Sequence, residues 1–231
     1  MLGIIGAMDE EVLKLKEKMT DVTVRTKASM EFYQGFVEGK EIVVVRSGIG
    51  KVNAAICAQI LVDDYEVSKI INTGIAGSLK NEINIGDIVL STDALQHDVE
   101  AIAFGYPVGQ IPRMDVLFFE ADKALCELAY ECCREVNPDI EVFKGRVVSG
   151  DQFISSKEKK DWLVENFSGY CTEMEGAAIA HTAYLNKTPF LIIRAISDKA
   201  DDNLADDYKN NLEASIKNGV SIVLSMAQGA E

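Results

Sequence analysis

Short runs of β-branched, apolar residues recur along this 231-residue chain, and turns that contain glycine or acidic residues follow them. The clearest runs are LGIIGA (2–7), VSKIINTG (67–74) and PFLIIRAIS (189–197). Strands that are apolar almost throughout are typical of a sheet that is covered on both faces. The pattern therefore predicts buried strands that alternate with helices, in the α/β class.

Helical patterns and one hairpin signal complete the predicted fold. The predicted helices include DEEVLKLKEKM (9–19), KVNAAICAQILVDDY (51–65) and ADKALCELAYECCREV (121–136). FYQGFVEGKEIVVVRSG (32–48) is predicted to form two antiparallel strands joined at Glu-Gly-Lys, and FGYPVGQIPRM (104–114) to form a loop. The expected architecture is a single domain over residues 1–231, with a mixed, twisted β-sheet flanked by helices.

The charge balance narrows the class of partner. The chain carries a net charge of −14 at pH 7, which argues against nucleic acid and anionic membranes because both are bound mainly through Lys and Arg. The N-terminal segment lacks a basic region, and no apolar stretch approaches the roughly 20 residues that span a bilayer. Five cysteines without framework spacing predict reduced core thiols in a cytoplasmic protein.

Neither a cofactor nor a metal is predicted. His97 and His181 lie far apart without a C-x-x-C partner, which argues against zinc. GIIGAM (3–8) lacks the middle glycine of the dinucleotide fingerprint, and Gly50-Lys51 lacks the upstream glycine and the hydroxyl residue of a Walker A loop. A small neutral or zwitterionic substrate fits this chain better than a polyphosphate does.

Six turns lie where predicted strands end, and four of them carry acidic residues. They are GAMDEE (6–11), SGIGKVN (47–53), NTGIAGS (72–78), SGDQFI (149–154), TEMEG (172–176) and AISDKADD (195–202). In open α/β sheets the ligand crevice lies where the carboxyl ends of strands gather. The six turns are therefore expected to surround one site.

Two of the acidic residues have both a structural and a catalytic interpretation. Asp198 follows an apolar strand, where it suits either a helix N-cap or a general acid in a poorly solvated pocket. Glu11 opens a helix beside Glu10, where acidic residues complement the helix dipole. It serves as a base only if its side chain points back toward the crevice. The sequence leaves both choices open.

TEMEGAAIAH (172–181) places Glu173 and Glu175 immediately before small apolar residues. If TEM is extended, the two side chains point to the same side, because side chains alternate along a strand. The Glu175 carboxylate would then stand over the crevice, where it can accept hydrogen bonds from two neighbouring hydroxyls such as those of a ribose. Glu173 either shapes the local field or pairs with an arginine such as Arg194.

Taken together, the six segments resemble those of the 5′-methylthioadenosine/S-adenosylhomocysteine nucleosidases, a family of the nucleoside phosphorylase superfamily. The resemblance includes residues that flank three of the segments, in GIIGAMDEEV, SGIGKVNAA and TEMEGAAIAH. The resemblance runs from residue 3 to the C-terminal helix, with the motifs in the family's order. It implies a nucleoside phosphorylase-like fold that cleaves the N-glycosidic bond of both nucleosides with water and releases adenine and a thio-ribose. It also implies a role in methionine salvage and methyl-cycle by-product removal, a homodimer and no cofactor.

The resemblance assigns roles to residues at matching positions. Asp198 matches the general acid that protonates adenine N7, Glu11 the carboxylate that activates water, and Glu175 the residue that holds the ribose 2′ and 3′ hydroxyls. The implied binding residues are Met174 at the sugar, Phe153 and Ile154 at adenine, Met8, Ile49 and Tyr208 at the alkylthio tail, Phe104 and Pro112 reaching the partner's site, and also Glu173, Ser197 and Gly77. One departure is Ile75, where family members often carry a hydroxyl residue.

Three rival functions suit the same fold. A phosphorylase holds its phosphate with arginines. Related phosphorylases place one arginine in a Gly-Asp-Pro-x-Arg element after the first strand, where this chain has GAMDEE. They place another just before the glycine-rich turn, where this chain has Asn72. The acidic pair therefore favours water as the nucleophile. A futalosine-type hydrolase would differ in its tail pocket, which motifs do not resolve. A nucleoside sensor without chemistry would not need Glu11, Glu175 and Asp198 together.

Overall fold

The computed structural model describes residues 1–201 and 204–229, and the side chains of residues 1–201 and 209–228. Within these residues one mixed sheet is flanked by helices, which confirms the predicted α/β domain. The strands are β1 Leu2–Gly6, β2 Thr20–Lys27, β3 Met30–Val37, β4 Lys40–Arg46, β5 Lys69–Ser78, β6 Ile88–Gln96, β7 Phe119–Glu120, β8 Val142–Ser149, β9 Cys171–Glu173 and β10 Phe190–Asp198. The helices are α1 Asp9–Glu17, α2 Lys51–Tyr65, α3 Lys123–Val136, α4 Lys157–Phe167, α5 Gly176–Asn186 and α6 Leu204–Gly229, with a 3-10 turn at Ile102–Phe104.

Strand β5 changes its neighbour halfway along one edge. Its first residues pair in parallel with β1, from Lys69 opposite Leu2 to Asn72 opposite Ile5. Its last residues pair antiparallel with β9, where Gly77 lies opposite Thr172. None of the described strands pairs with residues 73–76 on that edge, so the sheet opens there. Such a switch of partners is where α/β folds place their ligands.

The other edge of β5 pairs in parallel with β10 and closes a ring of strands. The ring runs β5–β10–β6–β8–β9 and back to β5. The pairing of β10 slips between Ile196 and Asp198, which lie opposite Ala76 and Gly77. A bulge re-aims the side chains that follow it. The last residue of β10 is thereby directed at the gap beside β5.

The hairpin β3–β4 is confirmed, but the strand before it was not predicted. Glu38 and Gly39, both at positive φ, form the tight turn between β3 and β4. Strand β2 is exposed along its whole length, and only Val22 and Val24 among its eight residues are apolar, so its alternation is too weak to mark a half-buried strand. The turn between β2 and β3 contains Ala28 and Ser29, which also adopt positive φ but lack the usual Asn-Gly signal.

The sheet and the helices enclose a largely aliphatic core. The buried centres of β1, β4, β5 and β10 match the apolar runs of the sequence. Helix α2 packs against α5, whereas α6 packs against β5, β10 and α3. All five cysteines are buried and free, as predicted for core thiols. Among the described residues, no helix is both long enough and apolar enough to cross a bilayer.

Candidate active site

A cavity of about 650 Å³, its open mouth included, lies in the gap beside β5. All six predicted segments contribute to its wall, although NTGIAGS (72–78), predicted as a turn, lies within β5. The predicted site residues that line it are Met8, Glu11, Ile49, Gly77, Phe153, Ile154, Glu173, Met174, Glu175, Ser197 and Asp198. Its volume is in the range of small-molecule sites, and its wall contains four carboxyl groups. The expectation that the turns surround one site is therefore met.

Glu11 points into the cavity, whereas its neighbour Glu10 faces solvent. The Glu11 carboxylate accepts hydrogen bonds from the N–H groups of Ala7 at 2.7 Å and Met8 at 2.9 Å. Its other oxygen accepts one from the N–H of Ile75 at 3.2 Å. Ile75 lies in the unpaired part of β5, so Glu11 replaces the missing strand partner. Burial raises the pKa of Glu11, against the attraction of Arg194 and these three donors.

Asp198 ends β10 rather than beginning a helix. Helix α6 starts at Leu204, which rules out the N-cap interpretation. One carboxylate oxygen accepts a hydrogen bond from the N–H of Ala200 at 2.8 Å, and the other from the hydroxyl of Ser197 at 2.8 Å. Gly77 makes room for this group, because a Cβ there would lie 2.7 Å from Asp198 Oδ1. The aspartate is buried at the end of the cavity formed by β5 and β10.

Glu175 is the residue directly before α5, on a different element from Glu11 and Asp198. Its Oε1 accepts a hydrogen bond from the N–H of Gly50 at 2.8 Å, which ties it to the start of α2. Burial, and after it the negative charge of Glu173, raises the pKa of Glu175 to about 8. A buried carboxyl group with this pKa binds and releases a proton near physiological pH.

Glu173 is held quite differently from Glu175. Strand β9 ends at Glu173, so strand alternation does not extend to Glu175, but both side chains line the same cavity. Glu173 Oε2 lies 2.5 Å from Arg194 Nη2, which confirms the pairing with Arg194 considered from the sequence. Burial opposes ionisation of Glu173, but Arg194 and the Ser149 hydroxyl hold its pKa below the usual range.

The remaining predicted residues divide between the cavity and other places. Met8, Met174 and the buried Ile154 line apolar wall, while Ile49 and Phe153 stand at the mouth with more than half of their surface exposed. Phe104 and Pro112 are exposed and lie outside the cavity of their own chain. The side chain of Tyr208 lies outside the described residues, so its predicted contact with the tail stays a prediction.

Three groups that support the site were not predicted. The backbone N–H of Gly50 binds Glu175, the Ser149 hydroxyl binds Glu173, and the Asn72 amide accepts a hydrogen bond from Arg194. These three groups were hard to predict, because a backbone N–H leaves no mark in a sequence and single serine and asparagine residues are common in turns. Arg194 gives a clearer signal, since a charged residue inside an apolar strand requires a buried partner.

Comparisons with known proteins agree with this architecture. A family profile described as "Phosphorylase superfamily" matches residues 1–228. The chain is thus a member of that superfamily. The 5′-methylthioadenosine/S-adenosylhomocysteine nucleosidase of Staphylococcus carnosus is 42% identical over 229 residues, which are 98% of each chain.

Solved structures match over almost the whole chain. The crystal structure of 5′-methylthioadenosine/S-adenosylhomocysteine nucleosidase from Neisseria meningitidis, in complex with methylthio-immucillin-A, has a TM-score of 0.95 at 36% identity and covers 99% of this chain and 98% of its own. Futalosine hydrolase of Helicobacter pylori has a TM-score of 0.93 at 34% identity, with 99% and 97% covered. Within the superfamily, this chain belongs to the 5′-methylthioadenosine/S-adenosylhomocysteine nucleosidases.

The raised pKa of Glu175 predicts a cost in stability at alkaline pH. Between its ordinary value of 4.5 and about 8, the folded protein holds a proton that the unfolded chain releases, so the unfolding free energy falls as pH rises through this window. Glu175→Gln removes that cost and keeps the acceptor for Gly50. We expect this variant to raise the unfolding free energy by a few kcal/mol at pH 9 and by little at pH 5. The figure at pH 9 follows from the pKa difference, since each pKa unit corresponds to about 1.4 kcal/mol.

Urea denaturation at pH 5, 7 and 9 measures this difference. The exposed Glu165→Gln on α4 is the matched control and should show no pH-dependent gain. An equal stability of wild type and Glu175→Gln at pH 9 would contradict the assigned pKa.

Proposed function

We propose that this protein hydrolyses the N-glycosidic bond of 5′-methylthioadenosine and S-adenosylhomocysteine, releasing adenine and the corresponding thio-ribose. The observation that carries this proposal is the meeting of Glu11, Glu175 and Asp198 in one cavity, from turns that are distant in sequence. Two carboxyl groups in opposite protonation states are how many glycosidases cleave a glycosidic bond. Membership of the nucleosidase family supports the same reaction and its place in methionine salvage.

Asp198 is the proposed general acid. Its proton goes to adenine N7 as the glycosidic bond breaks, so that the base leaves as neutral adenine. The Ser197 hydroxyl suits this exchange, because it lies 2.8 Å from Asp198 Oδ2 and 3.5 Å from the carbonyl oxygen of Ala76. A hydroxyl can rotate between these acceptors as Asp198 gains or loses its proton. Asp198 therefore keeps a hydrogen-bond partner in both states.

Glu11 is the proposed base for the attacking water. Loss of adenine leaves an oxocarbenium-like sugar, which nearby carboxylates stabilise. Glu11 is buried and held by three backbone donors, so its carboxylate needs little reorganisation to accept a proton from water. The hydroxide equivalent adds to the anomeric carbon, and the proton of water passes to Glu11. Positive charge on the sugar favours ionisation of Glu11 and Glu175 at this stage.

Glu175 is the proposed ribose clamp. Gly50 holds one of its oxygens, so the carboxylate is fixed while it accepts hydrogen bonds from the 2′ and 3′ hydroxyls. Met174 would lie against the sugar, and Phe153 and Ile154 against adenine. Ile49 and Met8 provide apolar surface for the alkylthio tail. The family resemblance assigns these roles, and the position of every one of these residues in the wall of the cavity supports them.

The charge of the cavity supports water rather than phosphate as the nucleophile. Among the described residues that line it, none is Lys or Arg, whereas four are Glu or Asp. The nearby Arg194 is engaged by Glu173. A phosphate ion placed among these carboxylates would lack the arginines that phosphorylases use to hold it.

We further propose that the protein is a cytoplasmic homodimer in which each chain completes its partner's site. Phe104 is 84% exposed, and Val52 and Ile56 expose a neighbouring pair of apolar side chains on α2. Lys51 ties α2 to the loop that carries Phe104, through Asp98 at 2.6 Å. Ile49, just before α2, already stands at the cavity mouth. Phe104 and Pro112 are thus candidates to cover the partner's alkylthio tail.

The reaction is tested by release of the free purine base in phosphate-free buffer, as adenine from 5′-methylthioadenosine, S-adenosylhomocysteine and 5′-deoxyadenosine, and as hypoxanthine from futalosine in parallel. We expect adenine and free thio-ribose from the first two substrates without added phosphate, since water is the nucleophile. Chromatography of both products identifies the reaction. A requirement for phosphate would show a phosphorylase, and cleavage of futalosine alone would show the related hydrolase.

Asp198→Asn and Glu11→Gln should each lower kcat by about 10²–10⁴-fold, because each removes one proton-transfer group. Binding of a nucleoside should survive, since both variants keep the shape of the side chain. Glu10→Gln is the matched control for Glu11, because Glu10 is the exposed neighbour on the same helix turn. Near-normal turnover in Asp198→Asn would remove this residue as the acid.

Phe104→Ala should lower kcat/KM by about 10- to 100-fold, because burying an aromatic side chain against the tail contributes about 1.5–3 kcal/mol. Val24→Ala, an exposed apolar residue on the distant strand β2, is the control. Mixed dimers of Phe104→Ala and Asp198→Asn chains should regain activity, because one of their two sites is then complete. A monomer by sedimentation, or a lack of complementation, would contradict the shared site.

A further inference from the structure

Glu173 lines the cavity, yet each of its carboxylate oxygens is already bound by the protein. Oε1 accepts a hydrogen bond from the Ser149 hydroxyl. Oε2 accepts hydrogen bonds from the N–H groups of Glu175 at 3.1 Å and Gly176 at 2.8 Å, in addition to Arg194. These bonds fix the turn that presents Glu175 to the cavity. Little acceptor capacity remains for a sugar hydroxyl.

Arg194 is a single buried cation that faces several buried carboxyl groups. It is 2% exposed, and its Nη2 also donates to Asn72 while its Nη1 donates to the Ile193 carbonyl oxygen. Gly74 gives it room beside Glu11, because a Cβ there would lie 3.0 Å from Arg194 Nη1 and 2.7 Å from Glu11 Oε1. The guanidinium therefore lies within reach of Glu11 as well as of Glu173.

We propose that Glu173 is a positioning residue, which fixes the turn carrying Glu175 and neutralises Arg194 so that this guanidinium does not form a lasting ion pair with Glu11 or Glu175. An ion pair of that kind would turn the two carboxylates away from water and ribose, and would oppose the uptake of a proton by Glu11. The inference rests on the proposed function, since it concerns how the two groups work in that reaction.

The electrostatic balance of the site supports this role. Burial raises the pKa of Glu11 and of Glu175, and in both cases the attraction of Arg194 acts in the opposite direction. The negative charge of Glu173 raises the pKa of Glu175 further. The charged groups that face Glu175 are Glu173 on β9, Arg194 on β10 and Glu11 on α1. Removing the charge of Glu173 should therefore lower the pKa of Glu175. It should also lower the pKa of Glu11, because Arg194 is then no longer neutralised by Glu173 and attracts Glu11 more strongly.

Glu173→Gln removes the charge while keeping the hydrogen bonds. The amide oxygen can accept from Arg194 and the two N–H groups, and the amide NH₂ can donate to the Ser149 hydroxyl oxygen. The measurement is the pH dependence of Kd for the 5′-methylthio C-nucleoside analogue of the substrate, whose glycosidic carbon–carbon bond is not hydrolysed. Ribose hydroxyls donate to ionised Glu175, so wild-type affinity should rise with pH and level off above about 8.

The midpoint of this pH dependence should move about one pH unit lower in Glu173→Gln, because an unneutralised cation a few ångströms away shifts a carboxyl pKa by one unit or more. In Arg194→Met the midpoint should move to higher pH, since Glu173 then acts without its counterion. The double variant removes both charges and should return toward wild type. The ascending limb of kcat/KM against pH should follow the same order.

Glu127→Gln is the matched control, because Glu127 pairs with Lys144 on the exposed surface. An unchanged midpoint in Glu173→Gln, even with weaker binding, would reduce Glu173 to a structural residue and overturn the inference. If Glu173→Gln does not fold, Arg194→Met carries the test, and an unchanged midpoint there overturns it equally. Failure of the proposed function is distinct, because the wild-type protein would then release no adenine while the binding titration could still be measured.

Discussion

The change of neighbour along β5 is the constraint on which the site depends. One edge of this strand pairs with β1 and then with β9, while the other edge stays paired with β10. The residues between the two partners keep backbone groups that need hydrogen bonds. At Ile75 that need is met by a carboxylate, Glu11, instead of a strand. The gap in the sheet therefore both opens the cavity and holds the proposed base, Glu11, in place.

The second constraint is the cost of buried charge. Glu11, Glu173, Glu175 and Asp198 line one cavity, and Arg194 supplies the buried positive charge beside them. Buried ion pairs seldom stabilise a fold in net terms, because desolvation offsets the attraction. The chain keeps this arrangement at the expense of stability, as the raised pKa of Glu175 indicates. Such a concession is typical of sites where chemistry requires preorganised charge.

The elements that sequence predicted well are those with a strong local signal. Helix α2 has the predicted boundaries, and β1 and β10 coincide with their apolar runs to within one residue, whereas β5 continues to Ser78 through the predicted turn NTGIAGS. The strand β2 escaped prediction because only two of its eight residues are apolar and its turn uses Ala28 and Ser29. At the site, the positions of Glu11, Glu175 and Asp198 were expected, since strand ends carry them. Their hydrogen bonds to Ile75, Gly50 and Ala200 were not, because backbone donors leave no mark in a sequence.

The sequence by itself determined the class of fold, the turns that surround the site and the carboxyl groups that these turns present, because periodicity and turn chemistry are local properties. Only the tertiary structure decided what each carboxyl group does. It separated Glu173 from Glu175 by ending β9 between them and placing Arg194 beside one of the two. It also decided between the two interpretations of Asp198, which lies in the cavity rather than at a helix cap because of a bulge in β10 and the space that Gly77 leaves. Burial and charge proximity set these roles, and both arise from residues that are far apart in the chain.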